Sequence, residues 1–329
     1  SGNYTHNELD FSIPTRGLPL EFERSYNSVD TAVGPLGRGW THNYNTRLIT
    51  STYAVTLVAP RGSRLPFFRK GDGTFDPGPG LRATLVQNPD ESYTLTQGDQ
   101  VAYRFDPAGR LTALDDGKGN TTTLTYTGDD LTQVTAPDGR SLLLTYDQGR
   151  LTSVTDPLSR TMYYTYTTCV TDTMPCLSGV TDRLGQTWGY GYDDQGRLTS
   201  LTDPQGHSVV NQYDGEGRVV VQQDKLGQAS HFAYYPDYTV YTDTAGVPIT
   251  HTYNSLNLLA SITDALGHTT QREYDANYNL IAQTNALGRT THYTWNDCGC
   301  ALSSIQDPLG HVPRWSTTGT TTCSARPTP

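Results

Sequence analysis

Apolar positions along this chain follow two alternating spellings. In one, apolar residues sit three apart, as in Leu131/Val134, Leu151/Val154 and Leu198/Leu201; in the other they alternate, so that Val209, Asn211 and Tyr213 share a face. Both kinds of segment have the length of a β-strand. Asp-x-x-Gly punctuation separates them, at Asp193 to Gly196 and again at Asp203 to Gly206. Asp at the first position bonds back to the turn amides, and Gly supplies the positive φ at the exit. Simple pleating puts residues three apart on opposite faces, so the Leu198/Leu201 spelling predicts a bulge or bend in every such strand.

The alternation repeats. Aromatic residues recur about every 21 positions: Phe105, Tyr126, Tyr146, Tyr166, Tyr192, Tyr213, Tyr234, Tyr253, Tyr274, Trp295 and Trp315, with one long step from Tyr166 to Tyr192. A fixed period of this size marks a repeat architecture, in which each unit packs on its neighbours. The second turn returns at Asp116–Gly119, Asp182–Gly185, Asp224–Gly227, Asp243–Gly246, Asp264–Gly267, Asn285–Gly288 and Asp307–Gly310. Two turns and two strands per unit make an antiparallel meander. The glycines Gly196, Gly206, Gly217 and Gly227 are expected at positive φ. Asn257 stands at a glycine position and tolerates it, whereas Tyr278 in the same place predicts a remodelled turn. Tyr192, Tyr213, Tyr234 and Tyr274 are expected on one face, ring on ring, as a spine; stacking on glycans is the competing use. About twenty strands at ~4.8 Å cannot stay flat, because strand twist accumulates, so the sheet is expected to curl into a spiral shell.

Composition agrees with strands and turns: 35% is hydrophobic, with 32 Gly, 19 Pro and only 2 Met. The 23 basic and 33 acidic side chains give a net charge of −10. An acidic chain lacks the basic footprint that nucleic acid requires. No apolar run approaches the ~20 residues of a membrane span, and no charged and apolar leader opens the chain. A start at Ser1 suggests a processed form or an excised fragment. The polar end, Thr320 to Pro329, is expected to be disordered unless something pins it.

The core Tyr-Asp-x-x-Gly-Arg-Leu-Thr-x-x-x-Asp-x-x-Gly, at Tyr192 to Gly206, Tyr213 to Gly227 and, one residue shorter, Tyr146 to Ser159, closely resembles the YD repeats of bacterial Rhs proteins and teneurins. Upstream, Gly2-Asn3, Asp10 to Pro14, Arg16 to Leu20, Arg24 to Ser28 and Gly37 to Tyr44 resemble the β-rich domain that precedes the repeats in Rhs proteins. The resemblance implies a secreted or surface-associated shell of strands around a C-terminal toxin. The residues after the repeats, a last Trp and a Thr-rich tail, are expected to carry neither a self-cleavage region nor an effector domain, so no toxin activity is carried over.

Candidate chemistry is sparse. Asp129-Asp130 and Asp193-Asp194 could suggest calcium or paired-carboxylate hydrolysis, but their turn positions explain them, and calcium needs 6 to 8 converging oxygens. The eight His form no zinc-binding helix motif, and no Gly-x-Ser-x-Gly elbow exists. Arg24, Trp40 and His42 are tempting as a site by analogy, though packing or a plug at the sheet end is the commoner use of such residues. Cys169 and Cys176 flank the long step and read as a disulfide closing an excursion from the sheet. Cys298, Cys300 and Cys323 complete an odd set of five, leaving a free or interchain thiol; a zinc site with His311 is the alternative.

These readings converge on an all-β YD-repeat chain. Residues 1–100 form a small β-rich domain capping the sheet, 101–315 carry about ten repeats, and 316–329 are a Thr-rich tail. The expected role is a structural scaffold of an extracellular or cell-surface assembly, or the shell fragment of a toxin carrier; a glycan- or protein-binding adhesin module is the alternative. No catalytic, cofactor or metal residue is assigned. Expected partners are further copies through open strand edges, glycans or an encapsulated polypeptide, with no nucleic acid and no membrane span.

Overall fold

The computed structural model describes residues 2–78, 80–98, 100–170, 174–296 and 301–312. The fold is all-β, built of tandem antiparallel hairpins. The chain divides into two compact units, Ser1–Gly78 with Ala83–Gln228, and Pro79–Arg82 with Ala229–Pro329.

In the first unit the pre-repeat segment forms two small sheets. Thr5–Ile13 pairs with Leu20–Asn27, which pairs with Trp40–His42; Arg47–Thr50, Ala54–Val58, Arg64–Arg69 and Phe75–Pro77 form the other. From Ala83–Gln87 onward each strand pairs with the next, through Val219–Gln223. The second unit continues the pattern from Ala229–Tyr234 to Leu302–Gln306.

The bulge expected from the three-apart spelling is present. Tyr192 faces Leu198 while Gly191 faces Ser200, leaving Thr199 as the extra residue; the same shift occurs at Tyr126, Tyr213, Tyr253 and Tyr274. The bulge restores Leu198 and Leu201 to one side, and both are buried.

Two expectations are corrected. The pre-repeat segment does not only cap the end of the sheet, where its strand Tyr93–Gln97 pairs with Ala102–Phe105. Its backbone meets strand after strand along the meander: Leu48 N donates to Gly109 O (2.8 Å), Leu151 N to Pro35 O (2.9 Å) and Val219 N to Gly2 O (2.9 Å), while Gly37 pairs with Cys176. Laid flat, the strands from Leu111 to Gln223 would extend roughly 50 Å at ~4.8 Å each, so the strip bends around this segment within the first unit. Nor do residues 167 to 180 leave the sheet. Thr167 pairs with Cys176, Thr168 with Pro175 and Val170 with Met174, so the insertion lengthens a hairpin.

Burial follows the cover. Leu111, Leu131, Val134, Leu151, Val154, Leu177, Val180 and Leu198 are buried in the first unit, but their counterparts Leu259, Ile262 and Leu280 in the second are half-buried. A single layer of strands cannot remove its faces from water by itself. Full burial of a Leu or Val stabilises by about 1.5–3 kcal/mol relative to exposure, and in the first unit the pre-repeat segment contributes to that cover.

Candidate functional site

The densest group of chemistry-bearing side chains lies where the pre-repeat segment meets the repeat strands. Arg24 sits on Leu20–Asn27 opposite Glu8, and a register shift between Leu9 and Phe11 leaves Asp10 as the bulged residue of the facing strand. The bulge re-aims Asp10 so that it accepts two hydrogen bonds from Arg24, Nε to Oδ2 at 2.6 Å and Nη2 to Oδ1 at 2.8 Å. Tyr164 donates to Asp10 Oδ2 (2.8 Å), and Arg24 Nη1 donates to the Tyr190 hydroxyl (3.0 Å). Both ion-pair side chains are 1% exposed. Burial works against the Arg24 charge, but Asp10 outweighs it and the guanidinium is held well above its ordinary pKa. Burial likewise pushes the Tyr164 hydroxyl well up.

Around this pair, Trp40 Nε1 donates to the Tyr192 hydroxyl (2.8 Å), and Leu198 N donates to the Tyr26 hydroxyl (2.9 Å). His42 is stacked on Phe22, with ring centroids 5.0 Å apart. Neither of its ring nitrogens has a partner among the described residues, and burial, aided by Arg47, lowers its pKa to about 3. Arg24, Trp40 and His42 are therefore brought together, but closed to solvent. The arrangement ties the pre-repeat segment to the repeat strands. Asp10, Tyr164 and Tyr190 were not legible as its members, since only the fold brings residues 24 and 190 together.

The spine has its own geometry. Asp193 Oδ1 accepts from Gln195 N and Arg197 N, its Oδ2 accepts from Arg197 Nε (2.7 Å), and Gly196 N donates to Asp193 O. The Arg197 guanidinium then lies over the ring of the next spine residue, Tyr213, 4.8 Å from its centroid. Tyr213 donates its hydroxyl to Leu198 O (2.8 Å). Tyr126 reaches Leu111 O (2.8 Å), Tyr192 reaches Leu177 O (2.7 Å) and Tyr274 reaches Leu259 O (3.0 Å). The spine thus runs from hydroxyl to carbonyl, unit to unit, instead of ring on ring as expected. Tyr234 opens the second unit as the last residue of its first strand.

Gly196, Gly206, Gly217 and Gly227 have φ of +73°, +87°, +79° and +78°. Tyr278 adopts +66° and donates its N–H to Asp275 O at 3.1 Å, so the turn keeps its form with a tyrosine in it, contrary to the remodelling expected. Cys169 and Cys176 are at disulfide-bonding distance, with Cα atoms 5.8 Å apart. Cys298, Cys300 and Cys323 lie outside the described residues. So does any zinc site they would form with His311, whose Nδ1 is hydrogen-bonded to Asp307. Among the described residues no three His, Cys, Asp or Glu side chains converge as a metal site. No described helix is long and apolar enough to cross a membrane.

Three family descriptions match successive parts of the chain: a domain of unknown function (DUF6531) over residues 1–67, the teneurin YD-shell over 92–234 and the RHS repeat over 253–288. The chain is a YD-repeat protein of the Rhs type. Among its relatives are the tRNA(Glu)-specific nuclease WapA of Bacillus subtilis subsp. natto, 33% identical over 94% of this chain and 12% of that protein, and the probable deoxyribonuclease RhsB of Dickeya dadantii, 27% identical over 94% of this chain and 22% of that protein. This YD-repeat chain therefore spans only a small part of these relatives. Solved structures similar to it include the Photorhabdus luminescens Tc holotoxin pore, at 14% identity and TM-score 0.40, covering 78% of this chain and 19% of that one. A TcdB2–TccC3 complex matches at 14% identity and TM-score 0.38, covering 92% of this chain and 19% of that one.

Proposed function

We propose that this YD-repeat chain is a stretch of shell wall in an Rhs-type protein, acting by enclosing and not by catalysis. The observation that carries the reading is the fate of its polar groups. The Arg24–Asp10 pair is sealed between layers, and the Asp-Arg-Tyr set of the repeat is spent on turns and on stitching one unit to the next. The nuclease names of WapA and RhsB are not transferred, because the match covers 12% and 22% of those proteins. On this reading the half-buried face carrying Leu259, Ile262 and Leu280 is covered in the whole protein by an enclosed polypeptide. The setting is extracellular or at the cell surface. Open strand edges join further copies or further repeats, which light scattering of the purified chain at rising concentration tests directly.

The decisive experiment replaces the matched stretch of the Bacillus WapA protein with this chain. The chimera is expected to shield its C-terminal part from trypsin as the parent does, and the isolated chain is expected to cleave neither RNA nor DNA. An exported, folded chimera whose C-terminal part is as trypsin-sensitive as that part alone would overturn the shell reading. Saturable binding of the isolated chain on a glycan array would favour the adhesin alternative instead.

A further inference from the structure

The turn at Tyr278 departs from the repeat twice. A tyrosine takes the glycine position, and Asn279 takes the place that Arg197 holds ahead of Leu198. At three of the repeats that carry an arginine there, it covers the next spine ring: Arg110 lies over Tyr126 (5.2 Å), Arg150 over Tyr166 (5.9 Å) and Arg197 over Tyr213 (4.8 Å). The next spine residue after Asn279 is Trp295, whose Nε1 donates to Leu280 O (2.9 Å) in the usual manner. Its ring is nevertheless covered by an arginine. The guanidinium of Arg82 lies 4.5 Å from the Trp295 centroid, and its Nη2 donates to Asn279 Oδ1 (3.2 Å). Asn279 Nδ2 donates in turn to Asp275 Oδ2 (3.0 Å), the oxygen equivalent to the one that holds Arg197 in its own repeat.

We propose that Asp275, Asn279 and Trp295 form an arginine socket, a site for a guanidinium supplied from outside the repeat, and that Gly80–Arg82 is its built-in occupant. Arg82 is 197 residues from Asn279 along the chain, so the contact is a latch and not part of the local hairpin. The tyrosine lies beside the same loop: a Cβ on Gly80, at φ +76°, would rest in ordinary contact with the Tyr278 ring, 3.6 Å away. Asn279 forms the recess. It is too short to reach the Trp295 ring itself, it is 6% exposed, and its amide bridges the Asp275 carboxylate to the incoming guanidinium.

The ligand class is an arginine on an extended loop, recognised by a ring face and an amide oxygen. Lysine fits poorly, since it lacks the planar face that stacks and the fork that reaches Asn279.

The test is a double-mutant cycle on the purified chain with Arg82→Ala and Asn279→Arg, read by thermal midpoint and by trypsin cleavage after Arg82. Asn279→Arg restores the arginine within the repeat and should evict Arg82, raising cleavage there roughly threefold, the scale of an exposed cation–ring contact. Arg82→Ala should lower the midpoint in the natural background and leave it unchanged beside Asn279→Arg. Equal effects of Arg82→Ala in both backgrounds, or cleavage after Arg82 that ignores Asn279→Arg, would overturn the proposal. Should Asn279→Arg fail to fold, Trp295→Leu replaces it. Faster cleavage after Arg82 in that variant supports the socket, and unchanged cleavage refutes it.

Discussion

At the scale of single residues, the repeat spelling reads as a hydrogen-bond programme. Asp caps its turn, Arg bridges that Asp to the next ring, and Gly absorbs the left-handed exit. Gly217 sits at φ +79° with only Arg197 Nη1 near the site of a Cβ, so strain there is of the backbone and not of crowding. Gly217→Val is expected to cost about 1–2 kcal/mol, measurable as a lower urea midpoint with an unchanged slope. His42 gives a pH signature. Its folded pKa, about 3, lies below the ordinary histidine value of 6.5, because burial favours the neutral ring. The unfolded chain therefore takes up a proton first as pH falls, so stability is full above pH 6.5 and declines toward pH 3. The slope approaches ~1.4 kcal/mol per pH unit. Between pH 6.5 and 5 most carboxylates stay ionised, so His42→Phe should flatten the loss seen when urea midpoints at pH 7 and pH 5 are compared. The capping residues and their spacing were legible in the sequence. The solitude of His42 was not, because burial belongs to neighbours distant in the chain.

At the scale of elements, the bulge and the spine are one device. The strand that begins at Leu198 pairs with Ser208–Tyr213 only from Ser200 onward, which leaves Leu198 O outside the ladder and within reach of the Tyr213 hydroxyl. Tyr213→Phe should cost about 0.5–1.5 kcal/mol and speed amide exchange at the start of Leu198–Thr202 and the end of Ser208–Tyr213 more than at their opposite ends. The bulge could be deduced from apolar residues three apart. That the aromatic ring would spend its hydroxyl on a carbonyl, and not its face on another ring, depends on how far two strands splay, which no spacing records. The Cys169–Cys176 hairpin makes the same point: the long step announced an insertion, yet continued pairing from Thr167 to Val170 kept it in the sheet. Mass spectrometry without reductant should find these two cysteines joined. Reduction should leave the hairpin paired, because its ladder does not depend on the link.

At the scale of the molecule, a one-layer sheet needs a cover, and in the first unit the pre-repeat segment provides it through a buried ion pair. Arg24→Ala leaves Asp10 charged and unmatched, a change worth about 3–5 kcal/mol. Amide exchange should then accelerate across residues 161–202 and stay unchanged across 259–284; equal acceleration in both would show that the pair is not a local lock. Sequence alone determined the strands, their turns, their order and the family, because these rest on contacts between neighbours in the chain, which a period of about 21 residues writes out again and again. Only the tertiary structure decided which face is covered, that Arg24 and His42 are sealed, and that Arg82 lies over Trp295 of a distant repeat. Those outcomes turn on pairs more than a hundred residues apart, and a repeating spelling is the same wherever such a pair falls.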